Sequence, residues 1–179
     1  MRTWTSLCRC VSVCRKWMAV ALVVVTAVIA FERPAPAQGG APAPAAKGYA
    51  SAADVSALAA KLKSQRTASQ ALAAGTLLQL APYNVNVEYR SAVANAAIHD
   101  TEAELFYVLD GSATIVTGGE LVDAQRTNPQ NSSGKAIKGG MSQRVSKGDF
   151  VMVPEGTPHW FSAIDGTVTL MSLHLPRQK

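Results

Sequence analysis

The feature that most constrains the fold is a series of short strand-like segments that begins at residue 76 and continues almost to the C-terminus. Over Tyr83–Arg90, apolar and polar residues alternate with a period of two, a pattern typical of a half-buried strand. The other strand candidates are residues 76–80, 105–109, 112–116, 142–145, 150–153, 159–163 and 168–175. Turn signals at 110–111 and 165–166 (Asp-Gly in both cases) separate neighbouring candidates. Many short strands at close spacing predict an all-β sandwich or barrel.

A helix is predicted ahead of these strands. Ser51 followed by Asp54 resembles a capping box, because serine accepts a hydrogen bond from a first-turn amide and a carboxylate suits a helix N-terminus. Four apolar residues follow at helical spacing: Val55, Leu58, Ala59 and Leu62. We therefore predict a helix over 52–66 that packs its apolar stripe on the domain; a contact with a second copy of the chain is the alternative.

Residues 1–37 have the pattern of a secretory signal peptide. Basic residues, of which Arg15 and Lys16 are the last, precede an apolar run over 17–31, and an A-x-A sequence ends at Ala37. This run is short for a membrane span, which needs about twenty residues. We expect cleavage after Ala37, export to the periplasm or the medium, and no stable membrane span afterwards. An uncleaved N-terminal anchor is the alternative.

Cleavage would leave a nearly neutral chain without cysteine, because all three cysteines lie before residue 15. Of the 17 basic and 12 acidic residues, five and one lie in residues 1–37, which leaves 12 and 11 for the rest. That balance, without a basic–aromatic cluster, predicts no nucleic-acid partner. The Ala/Pro/Gly-rich residues 38–50 are predicted to form a flexible linker, and residues 51–179 to form one domain.

Two segments carry residues suited to metal chemistry. The first has E-x6-G at Glu104 and Gly111, with His99 in the place of the second histidine of H-x-H-x4-E. The second matches all four fixed residues of G-x5-P-x-G-x2-H, at Gly148, Pro154, Gly156 and His159. Together these segments resemble the paired motifs of the cupin superfamily. The resemblance covers about residues 76–175 and implies a double-stranded β-helix, or jelly-roll, barrel.

The resemblance also implies a metal site formed by His99, Glu104 and His159. Two imidazoles and one carboxylate suit divalent Fe, Mn, Ni or Zn, and three protein ligands leave coordination positions open for a substrate or oxygen. Such a metal ion is the expected cofactor.

Two positions depart from the family pattern. The first histidine of H-x-H is replaced by Ala97, and Ala163 stands where an asparagine often follows the last histidine. Asp100 or Glu102 could supply a replacement oxygen ligand. A barrel that has lost its metal is the alternative.

Strand periodicity gives an interpretation that is independent of the family. Alternate side chains share a face, so Glu104, Phe106 and Val108 point one way, and so do His159 and Phe161. If both faces line one barrel interior, the glutamate and the histidine converge. Phe106, Val108 and Phe161 would then wall a pocket for a small-molecule substrate or ligand.

Three further features have more than one interpretation. His174, in the last strand candidate, is a candidate catalytic residue, as a proton shuttle or a substrate contact. Asn86, Glu88 and Arg90 form a polar strand face, which either meets solvent or, in a barrel, forms a wall of the substrate site. Asn131 begins an N-x-S glycosylation sequon.

The leading functional hypothesis is an exported metal-dependent enzyme acting on a small molecule, with oxygenase, isomerase and lyase chemistry all open. A non-catalytic barrel that binds or senses a small ligand, with weak or no metal, is the second hypothesis. The third is an interaction protein that displays residues 118–142, where the Asn/Ser/Gly-rich stretch 127–140 predicts a long loop or hairpin. The resemblance also implies a homodimer, since related barrels often pair through their sheets.

Overall fold

The computed structural model describes residues 47–177. The predicted signal segment over 1–37 and residues 38–46 of the predicted linker lie outside the described residues. Lys47, at the end of that linker, forms a backbone bridge with Gln79 through hydrogen bonds of 3.1 and 3.3 Å. Among the described residues, no helix is long and apolar enough to cross a membrane.

Strands dominate the described region. They are β1 (Leu72–Leu80), β2 (Tyr83–Arg90), β3 (Ala96–His99), β4 (Glu102–Thr117), β5 (Glu120–Val122), β6 (Gln125–Asn128), β7 (Asn131–Gly134), β8 (Ala136–Lys138), β9 (Met141–Ser146), β10 (Phe150–Val153) and β11 (His159–Pro176). The main sheet follows the path β1-β2-β11-β3-β7-β6, and β4 joins it by pairing with β11, β9 and β10. The strands β5 and β8 form a separate pair. The predicted all-β class is confirmed.

One helix, α1 (Ala52–Gln65), precedes the strands, as predicted to within one residue. The Ser51 hydroxyl accepts from the Asp54 amide at 3.1 Å, and the Asp54 carboxylate accepts from the Ser51 amide at 2.9 Å, which completes the capping box. Leu62 is buried, and the rest of the apolar stripe packs with it against β1 and β2. The helix therefore covers one face of the sheet.

The two Asp-Gly turn signals at 110–111 and 165–166 do not end strands, and the prediction of turns there is wrong. Both lie inside the long strands β4 and β11, which pair with each other along most of their length, with a register shift beside 165–166. Gly111 has a φ of 80°, and a Cβ on it would lie 2.1 Å from the Thr167 carbonyl oxygen. Glycine is thus required here to let the two backbones approach each other at the irregularity.

The paired strands β4 and β11 curve strongly, so that the two ends of the pair lie close together. In register, Glu104 lies opposite His174, whereas His159 lies opposite Thr117 near the other end. A straight strand would separate residues 104 and 117 by about 43 Å, at ~3.3 Å per residue. The Glu104 carboxylate nevertheless lies 3.1 Å from the His159 ring. This curvature fits the predicted jelly-roll.

The excursion over residues 118–142 contains strands, so the hairpin alternative of the sequence prediction holds. Strand β6 pairs with β7, and β7 pairs with β3, which no sequence pattern had indicated as a strand. The interior of the roll holds the main apolar core: Phe106, Val108, Ala113, Ile115, Val145, Val153, Phe161, Val168 and Leu170.

Candidate metal centre

Three histidines meet around one buried carboxylate, that of Glu104. His99 is the last residue of β3, His159 is the first residue of β11, and His174 lies near the end of β11. Within the sheet, Glu104 is the register partner of His174 on one side and of Val153 of β10 on the other. The turn after Val153 leads into His159. Four separate strand ends therefore bring these side chains together.

The turn between β10 and β11 explains the spacing of the second motif. Gly156 has a φ of 66°, which favours glycine, and its amide donates to the His99 carbonyl at 2.7 Å. The Thr157 amide donates to the Pro154 carbonyl at 3.2 Å. The turn is thus tied to the end of β3, and it holds His159 beside His99.

The ring nitrogens named Nε2 of all three histidines face the same carboxylate. The Nε2 atoms of His159 and His99 lie 3.1 and 3.3 Å from Oε2 of Glu104. The Nε2 atom of His174 lies 3.5 Å from Oε1. The ring centroid of His99 lies 5.2 Å from that of His159 and 5.1 Å from that of His174.

These separations are those expected of ligands that share one cation. Two donors that each lie about 2.1 Å from a metal, at angles of about 90–110°, are about 3.0–3.4 Å apart. The donor atoms of His99, Glu104 and His174 all lie within 4.8 Å of one another. His159 contributes a further nitrogen against the same carboxylate. Imidazole nitrogens with a carboxylate oxygen are a donor set suited to Zn, Fe, Mn or Ni, so the residues fit a divalent transition metal.

The second nitrogen of each ring, Nδ1, has its own acceptor. Nδ1 of His99 lies 2.8 Å from the amide oxygen of Asn131. Nδ1 of His159 lies 3.3 Å from the Thr157 carbonyl, and Nδ1 of His174 lies 3.0 Å from the Glu102 carboxylate. Because these oxygens only accept, each Nδ1 carries a proton, and a ring that gives up the proton on Nε2 can bind a cation through that nitrogen.

Burial and charge act in opposite directions on the titration of this cluster. Burial by itself would raise the pKa of Glu104, but hydrogen bonds from His159 and His99, together with nearby histidine charge, hold that pKa well below its usual range. Burial would likewise lower the pKa of His99, yet hydrogen bonds to Glu104 and Asn131 and the charges of nearby glutamates raise it. Glu104 is thus an anion that attracts positive charge into the site.

The three ligands predicted from the motifs, His99, Glu104 and His159, are brought together, and His174 joins them. The role of His174 as a proton shuttle or substrate contact stays a prediction, and its ring is in direct contact with the Glu104 carboxylate. Its position follows from register, because His174 is the cross-strand partner of Glu104. The parity of the last strand was the signal that pointed to it.

One position at which the chain departs from the family pattern, Ala97, adjoins the cluster. Ala97 is the register partner of His159 and lies two residues before His99 on the same strand face. Asp100 forms an ion pair with Arg126, and Glu102 is bonded to His174, so both candidate replacement carboxylates are engaged elsewhere.

The predicted pocket residues lie in the packed core. Phe106, Val108 and Phe161 are each no more than 2% exposed. The ring of Phe106 lies against His159, with centroids 5.8 Å apart, and against Phe161 at 5.2 Å. Three surface cavities of the described region, of about 230, 140 and 250 Å³, are lined by other residues. A substrate pocket walled by these three side chains stays a prediction.

Comparison with known proteins supplies the class to which this fold and site belong. The family model for cupins matches residues 61–175, nearly two thirds of the chain. The chain belongs to the cupin family. No curated protein matches it.

Solved structures with a similar fold include three from different organisms. KdgF from Halomonas sp. is 16% identical, with a TM-score of 0.45, over 63% of this chain and 87% of that one. A cupin superfamily protein from Desulfitobacterium hafniense DCB-2 is 14% identical, with a TM-score of 0.46, over 63% and 84%. The cupin domain of Cnp3 from Schizosaccharomyces pombe is 15% identical, with a TM-score of 0.44, over 64% and 72%.

Proposed function

We propose that this cupin binds one divalent transition metal through Nε2 of His99, His159 and His174 and the carboxylate of Glu104. One observation carries the proposal: three Nε2 atoms lie within 3.5 Å of one buried carboxylate, while every Nδ1 is already bonded to an acceptor. Histidines that bind a metal through one ring nitrogen almost always donate the other N–H to such an acceptor.

The exposure of the four proposed metal-binding side chains indicates from which side a small molecule would approach. The side chains of Glu104 and His159 are 5% and 7% exposed, whereas those of His99 and His174 are 16% and 18% exposed. A small molecule would therefore reach the centre past His99 and His174. A bound metal there would polarise an oxygen-bearing ligand or bind oxygen.

We infer that the protein acts as an exported metal-dependent enzyme on a small molecule. The buried carboxylate of Glu104 would supply negative charge at the bottom of the site. The partly exposed rings of His99 and His174 would orient the substrate. Glu102, bonded to His174 and about one third exposed, connects that ring to solvent. Oxygenase, isomerase and lyase chemistry remain alternatives within this proposal.

A non-catalytic protein that binds a small ligand is the second candidate. It is favoured by the packed interior, because Phe106 and Phe161 fill the space beside His159. A metal-loaded activity screen separates the two candidates. Turnover that disappears in Glu104→Gln supports the enzyme, whereas ligand binding without turnover supports the binding protein.

Metal binding itself is tested by titrating the chelator-treated protein with Zn²⁺, Mn²⁺, Fe²⁺ and Ni²⁺ and by following thermal unfolding. A ligand that binds the folded state at a hundred times its dissociation constant stabilises it by about 2.7 kcal/mol. We expect such stabilisation in the wild type and in Glu120→Gln, which alters an exposed glutamate of β5. Its absence in the wild type with all four metals would contradict the proposal.

Export and assembly are separate proposals. N-terminal sequencing of the protein recovered from the periplasm or the medium should begin at Gln38, and recovery of an intact, membrane-bound chain would favour the anchor. Sedimentation of the mature protein tests the homodimer implied by the family.

A further inference from the structure

The residue bonded to His99 comes from a distant part of the sequence. Asn131 begins β7 and is the register partner of His99 on β3. Its amide oxygen lies 2.8 Å from Nδ1 of His99, and both side chains are partly buried. The side chain of Asn131, the sequon asparagine, therefore points toward the His99 ring.

Asn131 is held in place independently of His99. It follows the tight turn between β6 and β7, in which the Gln130 amide donates to the Asn128 side chain at 2.9 Å. The Gln130 carbonyl accepts from the Asp100 amide at 2.8 Å, and the Thr127 hydroxyl donates to the Asn131 carbonyl at 3.2 Å. Because backbone bonds fix the hairpin, the Asn131 amide can set the orientation of the imidazole.

We propose that Asn131 is a positioning residue of the metal centre, whose amide oxygen favours the proton of His99 on Nδ1 and so leaves the Nε2 lone pair for the metal. The inference rests on the proposed metal site. The acceptor partner of a ligating histidine fixes its tautomer and its ring orientation, and loss of such a partner typically weakens metal binding about 10–100-fold. The other two rings have a backbone carbonyl and a carboxylate in this role, so Asn131 is the neutral side-chain acceptor of the three.

The first arm of the test needs no metal. In metal-free protein at alkaline pH, side-chain ¹⁵N shifts report which nitrogen of a neutral imidazole carries the proton. We expect a larger Nδ1-protonated fraction of His99 in the wild type and in Asn131→Asp, which keeps an oxygen acceptor, than in Asn131→Ala, where the Glu104 carboxylate is the acceptor that remains. The tautomer of His174 should be the same in all three proteins.

The second arm measures Zn²⁺ affinity by competition with a chelator. Asn131→Ala should weaken binding about 10–100-fold, while Asn131→Asp should restore affinity to within about threefold of the wild type. Asn128→Ala is the matched control, because it removes a hairpin hydrogen bond without touching His99. Its affinity should stay within about threefold of the wild type.

An unchanged His99 tautomer in Asn131→Ala, or an equal loss of affinity in Asn128→Ala, would overturn the assignment. If the wild type binds no metal, the proposed function fails, yet the ¹⁵N spectra still decide whether Asn131 sets the tautomer of His99. The two failures are therefore distinguishable.

Discussion

Two polar clusters are buried inside the same roll, and they are constructed differently. In the first, around Arg90 of β2, the guanidinium donates twice to one oxygen of Glu88, at 2.6 and 2.9 Å. The other oxygen accepts from Ser172 at 3.2 Å, and the guanidinium carbon lies 4.4 Å from the centre of the Phe161 ring. Glu88 and Arg90 are buried, so this part of the polar face of β2 does not meet solvent.

The second cluster is the candidate metal centre, in which one carboxylate faces three imidazole rings. The Arg90–Glu88 pair compensates its charge with a permanent cation, whereas Glu104 has only imidazoles around it. A buried anion without a fixed cation is costly, and both protons and metal ions can neutralise it. Burial of polar groups alone therefore does not identify a functional site. A set of ligand atoms that can bind a cation does.

The largest effect should come from breaking the self-contained pair. Arg90→Met leaves Glu88 buried without its cation, and loss of one partner of a buried pair costs about 3–5 kcal/mol of folding free energy. Urea unfolding measures this loss. Arg144→Met is the matched control, because its ion pair with Asp165 is exposed and should contribute no more than about 1 kcal/mol.

If the two clusters are functionally distinct, metal affinity in Arg90→Met should stay close to that of the wild type once the protein is folded. A loss of metal affinity as large as that caused by a ligand substitution would show that the distinction is wrong.

The second effect concerns the anion of the metal centre. Glu104→Gln removes the charge but keeps the shape, and it should weaken Zn²⁺ binding by more than the roughly hundredfold limit typical of outer-shell partners. Calorimetric titration measures the affinity. Glu88→Gln, an equivalent change in the other cluster, should lower stability and leave the affinity unchanged; equal affinities for the two variants would refute the comparison.

The third effect tests whether His174 is a ligand. His174→Ala should weaken binding at least about tenfold, because it removes an imidazole from the metal. Position 97 lies beside both His99 and His159, so Ala97→His in the same chain should recover part of the loss. Chelator competition on the single and double variants gives both numbers, and a double variant no better than His174→Ala would count against this geometry.

The smallest effect is the pH dependence of the metal-free protein. The raised pKa of His99 contributes stability that is complete below its ordinary value of 6.5 and is lost as the pH rises through the folded-state value. The lowered pKa of Glu104 contributes stability that is complete above 4.5 and is lost on acidification. The difference in unfolding free energy between the wild type and Glu104→Gln should therefore be largest between pH 4.5 and 6.5.

Urea titrations over this range, with a chelator present, measure the difference. A curve that does not change with pH would mean that the His99–Glu104 interaction contributes nothing to folding.

Much of the centre could be predicted from local sequence, because His159 and Glu104 lie in recognisable motifs, and Pro154 and Gly156 shape the turn that precedes His159. The contribution of Asn131 could not be predicted, since it depends on the pairing of β7 with β3, and β3 has only four residues and no alternation. Glu102 was considered as a metal ligand, but register and ring orientation make it the partner of His174.

The strands of the fold likewise divide into those that local sequence predicts and those that depend on long-range pairing. Period-two alternation located β2, whereas the Asp-Gly pairs at 110–111 and 165–166 were interpreted as turns. A glycine with positive φ satisfies a bulge inside a paired strand as well as a turn, and only the pairing partner distinguishes the two. Gly111 lies opposite Val168 of β11, a partner far away in the sequence.

The most direct test of the account is a crystal structure of the protein grown with Zn²⁺ or Co²⁺, with data collected at the absorption edge of the metal. If these four side chains bind the metal, one anomalous peak per chain should lie about 2.0–2.2 Å from Nε2 of His99, His159 and His174 and from the Glu104 carboxylate. Each Nδ1 should keep its present acceptor. Well-ordered imidazoles around Glu104 without a peak, or a peak bound elsewhere on the chain, would contradict the account.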